Sequence, residues 1–341
     1  MLSRQHPLFK KLMPNRLDLL EETARAQWTE VGDDSTPEKL EFIDVHPQSA
    51  FYNFVVSKMR QNPFYPPTTM NISRIQMVRH TRESAYCKDI GNESRSVNQR
   101  GDPLLPRRPD SNQAEHAEFQ DALNYFNSQC EPTPPDWGNA NVVFAWHGSN
   151  SKHIESLCQN NPRSFRLTDG GFFGSGAYFA MECAYASRYS EWSKYPTLYA
   201  PDHPSAGQPH PHAGQPIPND QGEFGVILYS CCVTPFPYVI TLRKDYDPVD
   251  LAEYPGFSSF CSHNRERSKA LKRLYNAHFV PVKYYGYINP LTGQRWRRDP
   301  LHDWEDFDYQ ACPESSNPQG HELVLEQVVQ MLAVAVLWYK K

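Results

Sequence analysis

"GGFFGSGAYFAMECAYASRYS", residues 170–190, sets Gly171, Gly174 and Gly176 ahead of three tyrosines, Tyr178, Tyr185 and Tyr189. The glycines are spaced to bend a backbone. Core packing alone does not account for the tyrosines, because a buried phenolic hydroxyl needs a hydrogen-bond partner. The stretch holds no lysine, so it differs from the usual phosphate loop. A flat aromatic ligand is the better candidate, and the remainder of the chain can be tested against it.

The 341 residues are enough for a sizeable core, as one large domain or two ordinary ones. Aromatic residues make up 13%, which excludes a disordered chain, while 30 prolines imply many irregular connections. A formal charge of −5 and a pI near 6.2 argue against nucleic-acid binding by bulk electrostatics. The basic stretch "HNRERSKALKRL", residues 263–274, runs against that trend and reads as a solvated amphipathic helix. The 8 cysteines contain no C-x-x-C pair and no zinc spacing, and their scatter fits a reducing compartment. The first residues lack an apolar run of signal-peptide length, and the run at 331–338 is too short to span a bilayer. The expectation is a soluble intracellular protein, in cytoplasm or nucleus, with no membrane partner.

Residues 1–48 read as a polar N-terminal segment with one short helix over 16–28. An amphipathic helix is expected over 49–61, broken by "FYPPTTM". Alternating Ile72, Ile75 and Met77 predict a strand, with a more helical tail towards residue 90. Residues 91–113 read as a loop or linker, and 114–130 have helical spacing. "NVVFAW" (141–146) and "FGVILYSCCV" (224–233) are buried strands by β-branched and aromatic content. Between them, residues 196–221 form a Pro/Gly/His-rich interruption. Its histidines His203, His210 and His212 read as part of a surface insertion, not as metal ligands, because prolines prevent a regular ligand geometry. Short strands, helices and long loops together predict an α+β domain, not a doubly wound sheet.

Three features carry chemistry. "WHGSN" (146–150) places His147 at the end of an apolar strand. The glycine–tyrosine stretch follows, and "GHELVLEQVVQ" (320–330) sets Glu322 at the head of an apolar segment. Each has a bland explanation on its own: a structural histidine, a tight turn, an edge carboxylate facing water. The tail is also ambiguous, since Glu322, Glu326 and Gln330 make a helical stripe while "AVAVLW" favours a strand.

In combination they resemble the catalytic domain of the poly(ADP-ribose) polymerase family, the diphtheria-toxin-like ADP-ribosyltransferases. The family's His-Gly-Ser/Thr motif is matched by His147, Gly148 and Ser149. Its glycine-rich turn ending in Tyr-Phe-Ala is matched by Tyr178, Phe179 and Ala180, with a later tyrosine at Tyr189. Its glutamate opening a late strand, with a glutamine eight residues on, is matched by Glu322 and Gln330. "NISRIQMVRHTRESAY" (71–86) is similar to the family's entry segment, so the resemblance covers roughly residues 50–341.

The resemblance implies an ADP-ribosyltransferase fold: a split, mostly antiparallel β-core with flanking helices around an NAD+ cleft, and a tail that is strand. It implies one catalytic domain over 49–341 that carries the 196–221 insertion. It implies transfer of ADP-ribose from NAD+, used as co-substrate without a metal, to an acceptor protein or to the chain itself. Glu322 would stabilise an oxocarbenium-like transition state, with His147 and Tyr178 completing the catalytic set. Tyr178 and Tyr189 would sandwich the nicotinamide ring, Gly148 would meet its carboxamide, and His147 and Ser149 would bond ribose hydroxyls. Residues 150–169 occupy the place of the donor loop, where Arg163 or Arg166 is a candidate phosphate ligand.

The chain also departs from the family. A serine is usual three residues before the second tyrosine; here Ala186 stands there with Ser187 beside it. Either Ser187 substitutes or the carboxamide bond is lost. The usual proline after the glutamine is Ala333. Two alternatives therefore accompany the transferase: a weak or inactive module of the same fold that binds NAD+ or a protein partner, and a Cys/His hydrolase built on His147.

Overall fold

The computed structural model describes residues 40–60, 70–80, 113–131, 140–162, 173–191, 218–233, 236–240, 275–281 and 321–340, with Asp245, Phe260 and Leu271 singly. The candidate helix at 16–28, that at 263–274 apart from Leu271, the linker at 91–113 apart from Gln113, most of the 196–221 interruption, Arg163 and Arg166 lie outside the described residues.

The described strands form one sheet. Strand β1 (Leu40–Asp44) is followed by helix α1 (Ala50–Arg60), strand β2 (Asn71–His80), helix α2 (Gln113–Ser128) and the short β3 (Cys130–Glu131). Then come β4 (Asn141–Gly148), a 3-10 turn, α3 (Ile154–Asn160), β5 (Ala177–Ala180) and α4 (Cys183–Ser190). The chain continues with β6 (Phe224–Val233), β7 (Tyr238–Val239), β8 (Ala277–Val280), β9 (Glu322–Leu325) and β10 (Met331–Lys340). Their order across the sheet is β1-β2-β10-β6-β4-β5-β9-β8-β7, with β3 on β4. Every pairing is antiparallel except β7 with β8. The architecture is α+β and rich in sheet, as the sequence predicts.

The sheet has two unequal halves. On one side β4 and β6 run in register over eight residue pairs, from Asn141↔Val233 to Gly148↔Val226. On the other, β5 and β9 share four, from Ala177↔Leu325 to Ala180↔Glu322. The halves meet at a single pairing, Trp146↔Ala180.

Both faces of the long half are covered, which explains the mainly apolar strands β4, β6 and β10. Phe51, Val55 and Met59 recur at helical spacing on α1 and pack with Ile75, Met77, Leu228 and Leu337. Phe119, Leu123 and Phe126 on α2 lie against Val143, Tyr229, Phe279 and Leu323 on the other face. Burying side chains of this size contributes about 1.5–3 kcal/mol each.

Residues 40–44, placed by sequence in the N-terminal segment 1–48, pair with β2 from Leu40↔His80 to Asp44↔Gln76. Strand β2 continues past Met77 to His80, and residues 81–90, where a more helical tail is expected, lie outside the described residues. The ambiguous C-terminal segment is two strands joined by a 3-10 turn over Val328–Gln330. Gln330 closes that turn: its Oε1 accepts from Gln327 N at 2.9 Å, and its Nε2 donates to Cys232 O at 3.0 Å. The glutamine that looked like part of a helical stripe is a buried tie between strands.

Candidate active site

The single junction between the sheet halves is also where the sequence motifs converge. Trp146 on β4 faces Ala180 on β5, and Ala180 faces Glu322 on β9. His147 is the next residue along β4. Its Nδ1 lies 2.8 Å from Tyr178 O, and since a carbonyl only accepts, Nδ1 carries the hydrogen. Nε2 is then the acceptor nitrogen of the ring. Burial holds the His147 imidazole below its ordinary pKa, opposed by the bond to Tyr178, so the ring is neutral at neutral pH.

Gly148 follows, and its lack of a side chain is a steric requirement. A Cβ there would sit 1.8 Å from the Ala186 carbonyl oxygen on α4. The end of β4 thus rests directly on α4 at the position where the family usually has serine. Ser187 is buried, and its hydroxyl donates to Ala184 O at 2.8 Å within the helix. Ser149 stands half-buried just beyond β4.

The glycine-rich turn is held by its own tyrosine. Tyr178 Oη accepts from Phe173 N at 2.9 Å and donates to Gly174 O at 2.7 Å. Gly174 has φ +107°, a conformation that side-chain-bearing residues rarely adopt. Behind the turn, buried His278 donates from Nδ1 to Phe173 O at 2.7 Å. The ring of Tyr178 remains half-buried.

Helix α4 presents Tyr185 and Tyr189 one turn apart, on the same side. Tyr185 is buried, and its hydroxyl donates to Glu322 Oε1 at 2.6 Å. The Tyr185 and Tyr189 hydroxyls lie 3.1 Å apart, with the rings edge to face at 5.7 Å. Glu322 itself is 6% exposed. No motif of the sequence assigns Tyr185 a role; its i, i+4 spacing to Tyr189 is the one signal the sequence carries for it.

A second feature went unrecognised in the sequence. Glu182, in the turn between β5 and α4, grips the residue before Glu322. Its carboxylate accepts from His321 N at 2.7 Å and lies 2.5 Å from His321 Nδ1, while Met181 N donates to His321 O at 2.9 Å. The His321 ring stacks on Tyr125 at 4.6 Å and lies parallel to Phe279 at 5.8 Å. Glu182 and His321 are 139 residues apart in sequence, so spacing could not reveal the pair.

Among the described residues no group of His, Cys, Asp and Glu could hold a metal ion, and no helix is long and apolar enough to cross a membrane. Burial raises the thiols of Cys158, Cys183 and Cys231 above their ordinary range, and pushes Cys130 up to about 12. None of these four is a thiolate at neutral pH, which removes them as nucleophiles beside His147.

None of the curated proteins matches the chain. Residues 109–197 of the 341 match the family model described as the poly(ADP-ribose) polymerase catalytic domain, a segment running from α2 through α4. His147, the glycine-rich turn, Tyr178 and Tyr189 all fall inside it, so this segment of the chain is similar to the poly(ADP-ribose) polymerase catalytic domain.

Proposed function

We propose that the protein transfers ADP-ribose from NAD+ to an acceptor protein, itself included, with release of nicotinamide, and that Glu322 is its catalytic carboxylate. The observation that carries the proposal is the buried Glu322 carboxylate, held at the junction of the two half-sheets beside the tyrosine pair of α4.

The side chains present suit this substrate. NAD+ supplies a ribose joined at C1 to a cationic nicotinamide, which departs neutral and leaves positive charge developing on the sugar. A carboxylate aimed at the ribose 2′-hydroxyl favours that charge, as carboxylates do in glycoside hydrolysis. One preorganised group of this kind contributes on the order of 3 kcal/mol. The half-buried rings of Tyr178 and Tyr189 offer faces for a flat cation, each worth about 0.5–2 kcal/mol of binding. Because that attraction acts on the ground state as well, it serves affinity and position more than rate. Neutral His147 has Nε2 as an acceptor for a ribose hydroxyl, and the backbone of Gly148 beside α4 would meet the carboxamide. Ser149 is the further candidate for a ribose hydroxyl. With Ala186 in place of serine and the Ser187 hydroxyl bonded within α4, the carboxamide relies on backbone groups and ring stacking.

The reading is tested by nicotinamide release from NAD+, with a labelled NAD+ followed onto protein, for the wild type and Glu322→Ala. Release and labelling by the wild type, lowered about a hundredfold or more in the variant, support it. NAD+ binding without release by the wild type would establish the binding module instead. Equal release by both proteins would remove Glu322 from the mechanism.

A further inference from the structure

We infer that Tyr185 is a positioning residue for the ADP-ribosyl transfer, holding the Glu322 carboxylate in one orientation and tying it to the ring of Tyr189. The inference rests on the transferase reading above. Three observations carry it. The Tyr185 hydroxyl meets Glu322 Oε1 at 2.6 Å, the length of a hydrogen bond to a charged oxygen, and both side chains are buried. The same hydroxyl lies 3.1 Å from that of Tyr189. Tyr185 has one hydrogen to give, and an ionised carboxylate can only accept it. The Tyr189 hydroxyl is therefore the donor in the second bond, and the order runs from Tyr189 to Tyr185 to Glu322.

The third observation is that the two partners come from different elements. Glu322 opens β9 behind the His321–Glu182 clamp, which acts on the backbone at residue 321 and not on the glutamate carboxylate. Tyr185 comes from α4, whose Gly148 and Ser190 contacts fix it against β4 and β6. The hydroxyl thus fixes the carboxylate from a second, rigid element. A carboxylate held this way needs no reorientation when charge develops on the ribose. Tyr189 is the ring assigned to the nicotinamide, so the relay links the group that holds the leaving ring to the group that stabilises the sugar.

The test uses the full chain as Tyr185→Phe, Glu322→Gln and the double variant. Phenylalanine keeps the ring in the core and removes only the donor. For Tyr185→Phe, kcat of nicotinamide release should fall about tenfold or more, the equivalent of losing a hydrogen bond to a charged group. KM for NAD+ should stay within about twofold, since an interaction that acts mainly in the transition state leaves KM alone. In the double variant the loss should be no greater than for Glu322→Gln alone, because coupled residues are not additive. Without NAD+, urea unfolding of the same four proteins should show a smaller loss for Tyr185→Phe in the Glu322→Gln background than in the wild type, a readout independent of activity. A Tyr185→Phe protein with wild-type kcat overturns the inference, as does a double variant whose losses multiply. A rise in KM at unchanged kcat also overturns it, making Tyr185 a binding residue instead. A wild type that releases no nicotinamide overturns the transferase reading and this inference together, whereas the first three outcomes leave that reading standing.

Discussion

The two halves of the sheet are stabilised by different means. In β2, β10, β6 and β4 the strands are eight to ten residues long and paired over most of their length, and all but β2 are mainly apolar. In β5, β9, β8 and β7 they are two to four residues long, and side chains do much of the joining. Glu182 on His321, Tyr178 on its own turn, His278 on Phe173 and Tyr185 on Glu322 all lie in or against the short half. Long ladders make a platform indifferent to any one hydrogen bond. Short strands held by individual polar contacts put specific groups at specific points and depend on each of them.

That contrast is exposed to experiment. The largest effect is expected at Glu322: Glu322→Gln should lower turnover about 10²–10³-fold while the urea midpoint changes little. A large fall in stability would instead make the carboxylate part of the frame. Next, Leu337→Ala in β10 should cost about 2–5 kcal/mol of stability, because Leu337 is fully buried, with no change in KM for NAD+ below the melting range. A changed KM would show that the long half is more than a platform. Glu182→Ala should cost about 1–3 kcal/mol by leaving His321 N and Nδ1 without their acceptor, and turnover should fall with it. If stability drops and turnover does not, the clamp serves folding alone.

The smallest effect concerns pH. His147 is held neutral in the folded protein, below its ordinary 6.5, whereas in the unfolded chain it takes up a proton as pH falls through that value. The unfolded state binds more protons there, so stability should decline as pH drops below about 6.5 and be fully present above it. His147→Gln should flatten that slope in urea titrations from pH 7.5 to 5; an unchanged slope would assign it to other groups.

Local pattern was a good guide wherever an element buries one stripe or lies wholly inside. Helix α1 over 50–60 and strand β6 over 224–233 follow from the spacing of Phe51, Val55 and Met59 and from an unbroken apolar run. The pattern failed where an element's role depends on distant residues. Residues 40–44 show no strong alternation and become strand because β2 offers an edge. The stripe of Glu322, Glu326 and Gln330 mimics a helix, yet Glu322 and Gln330 are buried for separate reasons and Glu326 is exposed. Periodicity cannot distinguish a repeating face from three unrelated positions.

For the site, the motifs His147-Gly148-Ser149 and Tyr178-Phe179-Ala180 and the late Glu322 were legible as residue types in order, and the family match at 109–197 covers the first two. Their identities follow from chemistry that needs an imidazole, aromatic faces and a carboxylate whatever the fold around them. The sequence by itself therefore carried the resemblance to the family, the α+β class and the substrate class to be tested. The tertiary structure alone decided which side chains support the carboxylate. Tyr185 lies 137 residues from Glu322 and Glu182 lies 139 from His321, so both pairs exist only once β5 lies beside β9. Hydrogen bonds act over about 3 Å, and no spacing along an unfolded chain encodes which distant atoms arrive within that reach.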